Sequence, residues 1–116
     1  MDDTQPGTGG YRPSDLVEQM GDEGVAADIA QVYLQELPAR VAAIEAARGG
    51  LREDTVRMAH TLKSASALLG LAELSEACRE VEHTARDGGS VAGLVDGVTA
   101  HAAEAERAVR GWLASR

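Results

Sequence analysis

The sequence predicts an all-α protein, an antiparallel up-down four-helix bundle with a short extra N-terminal helix. Three observations lead there. Apolar residues recur at three- and four-residue steps through four long segments, the spacing of one helix face. Short, glycine-marked connections such as RGG and DGGS separate those segments, so successive helices turn back on one another. No stretch alternates apolar with polar residues, and β-branched residues do not cluster, which leaves no candidate strand.

Each element has its own signals. Residues 1–10, MDDTQPGTGG, are polar and glycine-rich without periodicity, and read as a flexible tail ahead of one domain at 11–116. A short helix is expected over RPSDLVEQMG, with Pro13 and Ser14 as start signals and its end near Gly21. Ile29, Tyr33, Leu37, Val41 and Ile44 then mark one stripe from about Gly24 to Arg48. Pro38 interrupts it, so either the helix kinks there or a second helix begins with Pro38 in its first turn. Leu51, Met58, Leu62, Ala65 and Leu69 form the next stripe, stopped by Gly70 in the position of a C-cap. Leu71, Leu74, Cys78, Val81 and Ala85 follow as far as DGGS. The last stripe is Val91, Val95, Val98, Ala102, Ala105, Val109 and Trp112, with Ser90 as the expected N-cap.

A chain of 116 residues suits one domain with a real core. Only 3% of it is aromatic and Phe is absent, so that core must be built from Leu, Val, Ile and Ala. A formal net charge of -8 repels phosphate backbones and anionic lipids, which argues against nucleic-acid and membrane partners. The single cysteine, Cys78, has no internal partner, and no Cys/His cluster has zinc-ligand spacing, so no metal site is expected. With no basic-then-apolar leader and no long apolar run, a cytoplasmic protein, or a module of a larger one, is expected.

The stretch AHTLKSASALLG, Ala59 to Gly70, does not read as core alone. Helical residues advance about 100° each, and with His60 at zero the apolar stripe lies within roughly 40° of the opposite direction. Lys63, Ser64 and Ala67, at i+3, i+4 and i+7, fall within about 60° of His60, and Val56 lies one turn before on the same outer face. An exposed imidazole is largely unprotonated near neutral pH and is a good nucleophile. A neighbouring ammonium can offset phosphate oxygens, a serine can donate to them, and small side chains admit a partner's active site.

This stretch resembles the signature of histidine-containing phosphotransfer (HPt) domains, close to A-H-x-L-K-G-x-x-x-x-x-G. The matches are Ala59, His60, Leu62, Lys63 and Gly70, with Ser64 where glycine is common. LSEACREVE is similar to the family's L-x-x-x-C-x-x-L-E segment through Leu74, Cys78, Val81 and Glu82, and VYLQELPARVAAIEAA to its F-x-x-x-x-x-x-x-L-x-x-A helix, with Tyr33 for Phe. The likeness covers about Leu16 to Arg86. It implies a phosphocarrier without autonomous kinase activity that exchanges a phosphoryl group between His60 and a receiver-domain aspartate, with Lys63 stabilising phosphate. Val56, Ser64 and Ala67 are the expected docking residues. The implied partners are a response-regulator receiver, which brings the Mg²⁺, and upstream a hybrid sensor histidine kinase. The chain itself is expected to be a monomer without a cofactor, since it has no P-loop.

Two other readings stand beside this one. The same face suits an adaptor that binds a receiver without carrying phosphate, and the helices alone suit a structural or dimerising bundle. His83 and His101 read as structural or solvent-facing, and Cys78 as a small core side chain. Glu73, Glu76, Glu80, Glu82, Glu104 and Glu106 read as solvated helix faces. Trp112 is expected to seal the end of the bundle.

Overall fold

Apolar stripes at helical spacing place five helices in a computed structural model that describes residues 11–47, 49–50 and 52–116. They are α1 (Ser14–Met20), α2 (Glu23–Ala47), α3 (Arg52–Leu68), α4 (Ala72–Arg86) and α5 (Ala92–Ala114), with no strand among the described residues. The expected tail at 1–10, the Arg48 end of the second stripe and Leu51 lie outside the described residues.

Helix α3 packs on α4, α4 on α5, α5 on α2 and α2 on α3, which closes the bundle, and α1 packs on α2. Side chains that bridge helices fix their directions. Tyr33, early in α2, meets Ser66, late in α3. Ser75 at the start of α4 donates to the Lys63 carbonyl in α3, and Arg116 beyond α5 reaches Glu23 at the start of α2. Sequential neighbours therefore run antiparallel. None of these helices is long and apolar enough to cross a membrane.

The stripes of α4 and α5 are buried as expected, from Leu74, Cys78, Val81 and Ala85 to Val95, Val98, Ala102, Ala105, Val109 and Trp112. In α2, Tyr33, Leu37 and Ile44 are buried while Ile29 and Val41 are half-buried. That helix runs unbroken through Pro38, so no second helix begins there. Pro38 is exposed, where water can reach the Leu34 carbonyl that a proline nitrogen leaves without a partner. The last helix corrects one expectation. Val91, not Ser90, occupies the N-cap position of α5, no side chain caps it, and Ser90 is simply exposed.

A second correction concerns α3. Its buried residues are Thr55, Ala59, Leu62 and Ser66, with Leu69 beyond, while Met58 and Ala65 are only half-buried. At 100° per residue the seam is turned roughly 50° from the apolar stripe, toward Ala59 and Ser66. Two hydrogen bonds make this tolerable. The Ser66 hydroxyl pairs with the Tyr33 hydroxyl at 2.9 Å inside the core, and the Thr55 hydroxyl donates to the Ala47 carbonyl at 2.8 Å. The turn into α4 is a Schellman closure. Gly70 takes φ +73°, its N–H bonds the Ala67 carbonyl, and the Leu71 N–H bonds the Ser66 carbonyl. As expected, Gly70 ends the helix; a side chain there would be strained.

Candidate functional site

Because Ala59 and Leu62 are locked into the seam, His60 between them is carried to the outer face of α3. Its side chain is 59% exposed. Ser64 and Ala67 are exposed along the same face, and Val56 is half-buried one turn before. The structure therefore brings His60, Ser64, Ala67 and Val56 to one surface, as their spacing predicts.

Lys63 differs. The turned seam draws it toward α4, where it is 27% exposed and sits 2.8 Å from Glu82 Oε1. The contact is an ion pair that holds α3 to α4, so Lys63 is turned further from open solvent than its placement near His60 on the outer face implies.

Glu82 is the larger correction. It is no solvated face residue, with only 4% of its side chain exposed. It follows the buried Val81 on the flank of α4 that faces α3. His60 Nδ1 lies 3.2 Å and the Arg86 guanidinium 2.7 Å from its Oε2. Its Oε1 has no well-aligned hydrogen bond and is compensated by the Lys63 charge. Burial pushes this carboxyl up, but Lys63, Arg86 and His60 favour the ionised form more strongly and hold it down at about 2.

An ionised carboxylate can only accept hydrogen bonds, so the ring nitrogen facing it must donate. His60 then carries its proton on Nδ1 and turns the Nε2 lone pair to solvent. A groove of about 520 Å³ opens beside the ring, lined by Arg52, Glu53, Val56, Arg57, His60, Glu82 and Arg86. Arg52, Arg57, Lys63 and Arg86 outnumber Glu53, Glu82 and the Arg57 partner Asp54 around this histidine, a local excess of positive charge in a chain of net charge -8. The arrangement offers an exposed nucleophilic nitrogen with positive charge around it, fit for an anionic, electrophilic group.

Sequence reasoning missed Glu82, Arg86 and Arg52 as members of this site. The available signal was modest: Glu82 stands four residues from both the core residue Cys78 and Arg86, beside the stripe and not opposite it. The remaining residues follow expectation. His83 is exposed and His101 half-buried against Glu104. Cys78 is buried, and burial pushes its thiol up to about 12, so it is an inert core side chain. Trp112 is buried near the end of α5 with the Arg116 guanidinium over its ring.

A family model described as the Hpt domain matches residues 28–111. No curated protein and no solved structure matches the chain.

Proposed function

Since this chain belongs to the Hpt domain family, whose members are histidine phosphotransfer intermediates and not autonomous kinases, we propose that it carries a phosphoryl group on His60 Nε2. The reading rests on one observation above all: His60 is exposed while its Nδ1 is tied to a buried, ionised glutamate.

The Nε2 lone pair attacks the phosphorus of a receiver aspartyl-phosphate in line with the bond to be broken. The N–P bond forms as the P–O bond breaks, and the aspartate carboxylate leaves with the electron pair. Positive charge develops on the ring as it does so. The Nδ1 proton stays against Glu82, whose negative charge meets that development without changing tautomer. Glu82 is thus a positioning residue. Lys63 and Arg86 offset phosphoryl oxygens from the side of α4, and the reaction is reversible because the receiver face can run the same path backward. Val56, Ser64 and Ala67 form the docking surface, where small side chains let the partner come near. Mg²⁺ belongs to the receiver, a hybrid sensor kinase stands upstream, and the carrier works as a cytoplasmic monomer.

The test is direct. Incubation with a phosphorylated receiver should place acid-labile, alkali-stable phosphate on the wild type, and His60→Gln should abolish it without changing helicity or melting. Label that survives the substitution refutes the site. A receiver that binds tightly yet never labels the wild type makes this an adaptor.

A further inference from the structure

On the flank of α4 away from Glu82, the structure holds a second convergence of titratable groups. A nitrogen of His101 and one oxygen each from Glu73 and Glu104 lie within 4.8 Å of one another. His101 and Glu104 are three residues apart on one face of α5, and His101 Nδ1 is 3.0 Å from Glu104 Oε1. Glu73 stands in the first turn of α4 and reaches the same point across the helix interface.

We propose that Glu73, His101 and Glu104 form a binding site for a divalent transition-metal ion of the zinc class. The imidazole separates this cluster from an ordinary acidic patch, since calcium and magnesium favour all-oxygen sets while a mixed nitrogen–oxygen set suits zinc. Zinc bonds of about 2.0–2.2 Å to nitrogen and oxygen put neighbouring ligand atoms roughly 3 Å apart. The His101–Glu104 pair already has that separation, and an oxygen of the exposed Glu73 lies within 4.8 Å of both ligand atoms. A groove of about 620 Å³ opens beside the three residues, room for the ion and the water that would complete its shell.

Charge points the same way. Among the described residues Glu73 has no ion-pair partner, and Arg107, which lines the groove, pairs with neither carboxylate. Glu80 lines the adjoining depression with Glu73 and His101, and Glu76 there is matched by Arg79, so the carboxylates left over make the local field negative. Two carboxylates converge on one imidazole with no cation between them. A divalent ion cancels that repulsion and joins α4 to α5. The sequence shows no ligand spacing because one of the three ligands comes from another helix.

Calorimetric titration of the full chain with zinc chloride, together with cobalt(II) absorption, tests the site. One ion per chain is expected, with a rise in Tm on adding zinc. His101→Ala should weaken binding about tenfold or more, as even the loss of an outer-shell partner costs that much, and remove the rise in Tm. The Glu73→Gln/Glu104→Gln double variant should behave alike, which guards against misfolding of either. His60→Gln and His83→Gln should bind as the wild type does. Absence of zinc heat and of a cobalt spectrum in the wild type overturns the proposal. So does unchanged binding in both ligand variants, or loss of binding in His60→Gln.

Discussion

His60 and His101 each meet a glutamate through Nδ1, at 3.2 Å and 3.0 Å, yet the two pairs sit in opposite surroundings. Glu82 is buried and shared with Lys63 and Arg86, so the carboxylate is neutralised and the field at His60 is set by arginines and a lysine. Glu104 is exposed, and the depression that His101 lines also holds Glu73, Glu76 and Glu80. One pairing motif thus prepares a ring for an anion on one side of α4 and for a cation on the other. What a histidine–carboxylate pair does is decided by who else touches the carboxylate.

The contrast can be broken most sharply at the rings. His60→Gln should eliminate transfer from a phosphorylated receiver, whereas His101→Gln should leave the rate unchanged. Equal loss in both would mean that the two pairs share a role.

Next come the carboxylates. Glu82→Gln should slow transfer about 10- to 100-fold, by analogy with the loss of a carboxylate that orients a metal-bound imidazole. Glu104→Gln should leave it unaltered. Glu82 also predicts an acid limb in stability. Its pKa is lowered from an ordinary 4.5 to about 2, so its contribution is fully present above the ordinary value and disappears as pH falls toward 2. Urea midpoints measured down that range should fall more steeply for the wild type than for Glu82→Gln. Parallel curves would place the charge in solvent.

Lys63→Ala gives a smaller effect on a different axis. Removing the cation leaves a buried carboxylate oxygen with no compensation, which should cost about 1–2 kcal/mol, discounted for the lysine's partial exposure. Exposure alone would predict less than about 0.5 kcal/mol. Chemical denaturation separates the two. Ser64→Trp should change stability least, within about 0.5 kcal/mol, while obstructing transfer. Wild-type rates in that variant would remove close approach from the docking surface.

The architecture was legible because aliphatic residues mark the seams of α4 and α5, while in α2 Tyr33, Leu37 and Ile44 mark part of a seam that Ala26, Ala27 and Ala30 complete. His60 was legible too, since the buried Ala59 and Leu62 that flank it leave it one direction in which to point. The seam of α3 was not. Its true landmarks, Thr55, Ala59 and Ser66, are small or polar and carry little weight in a hydrophobic pattern, while Met58 and Ala65 pull the apparent stripe aside. The hydroxyl of Tyr33, 33 residues away, is what admits Ser66 to the interior. Glu82 was hidden for the same reason. A glutamate reads as surface until its cations are found, and two of the groups that compensate it lie on α3. Ser90 failed as a cap because a serine before a helix is only an opportunity.

The Schellman turn at Gly70 leaves α3 and α4 as a single helical hairpin, and His60, Lys63, Glu82 and Arg86 all belong to it. The reactive centre is therefore assembled within one helical hairpin, with His60 and Glu82 only 22 positions apart in the chain. Fraying of α1 or of the far end of α5 can come and go in hydrogen exchange while the centre stays closed. The hairpin holds the chemistry, and α2 and α5 are its seat.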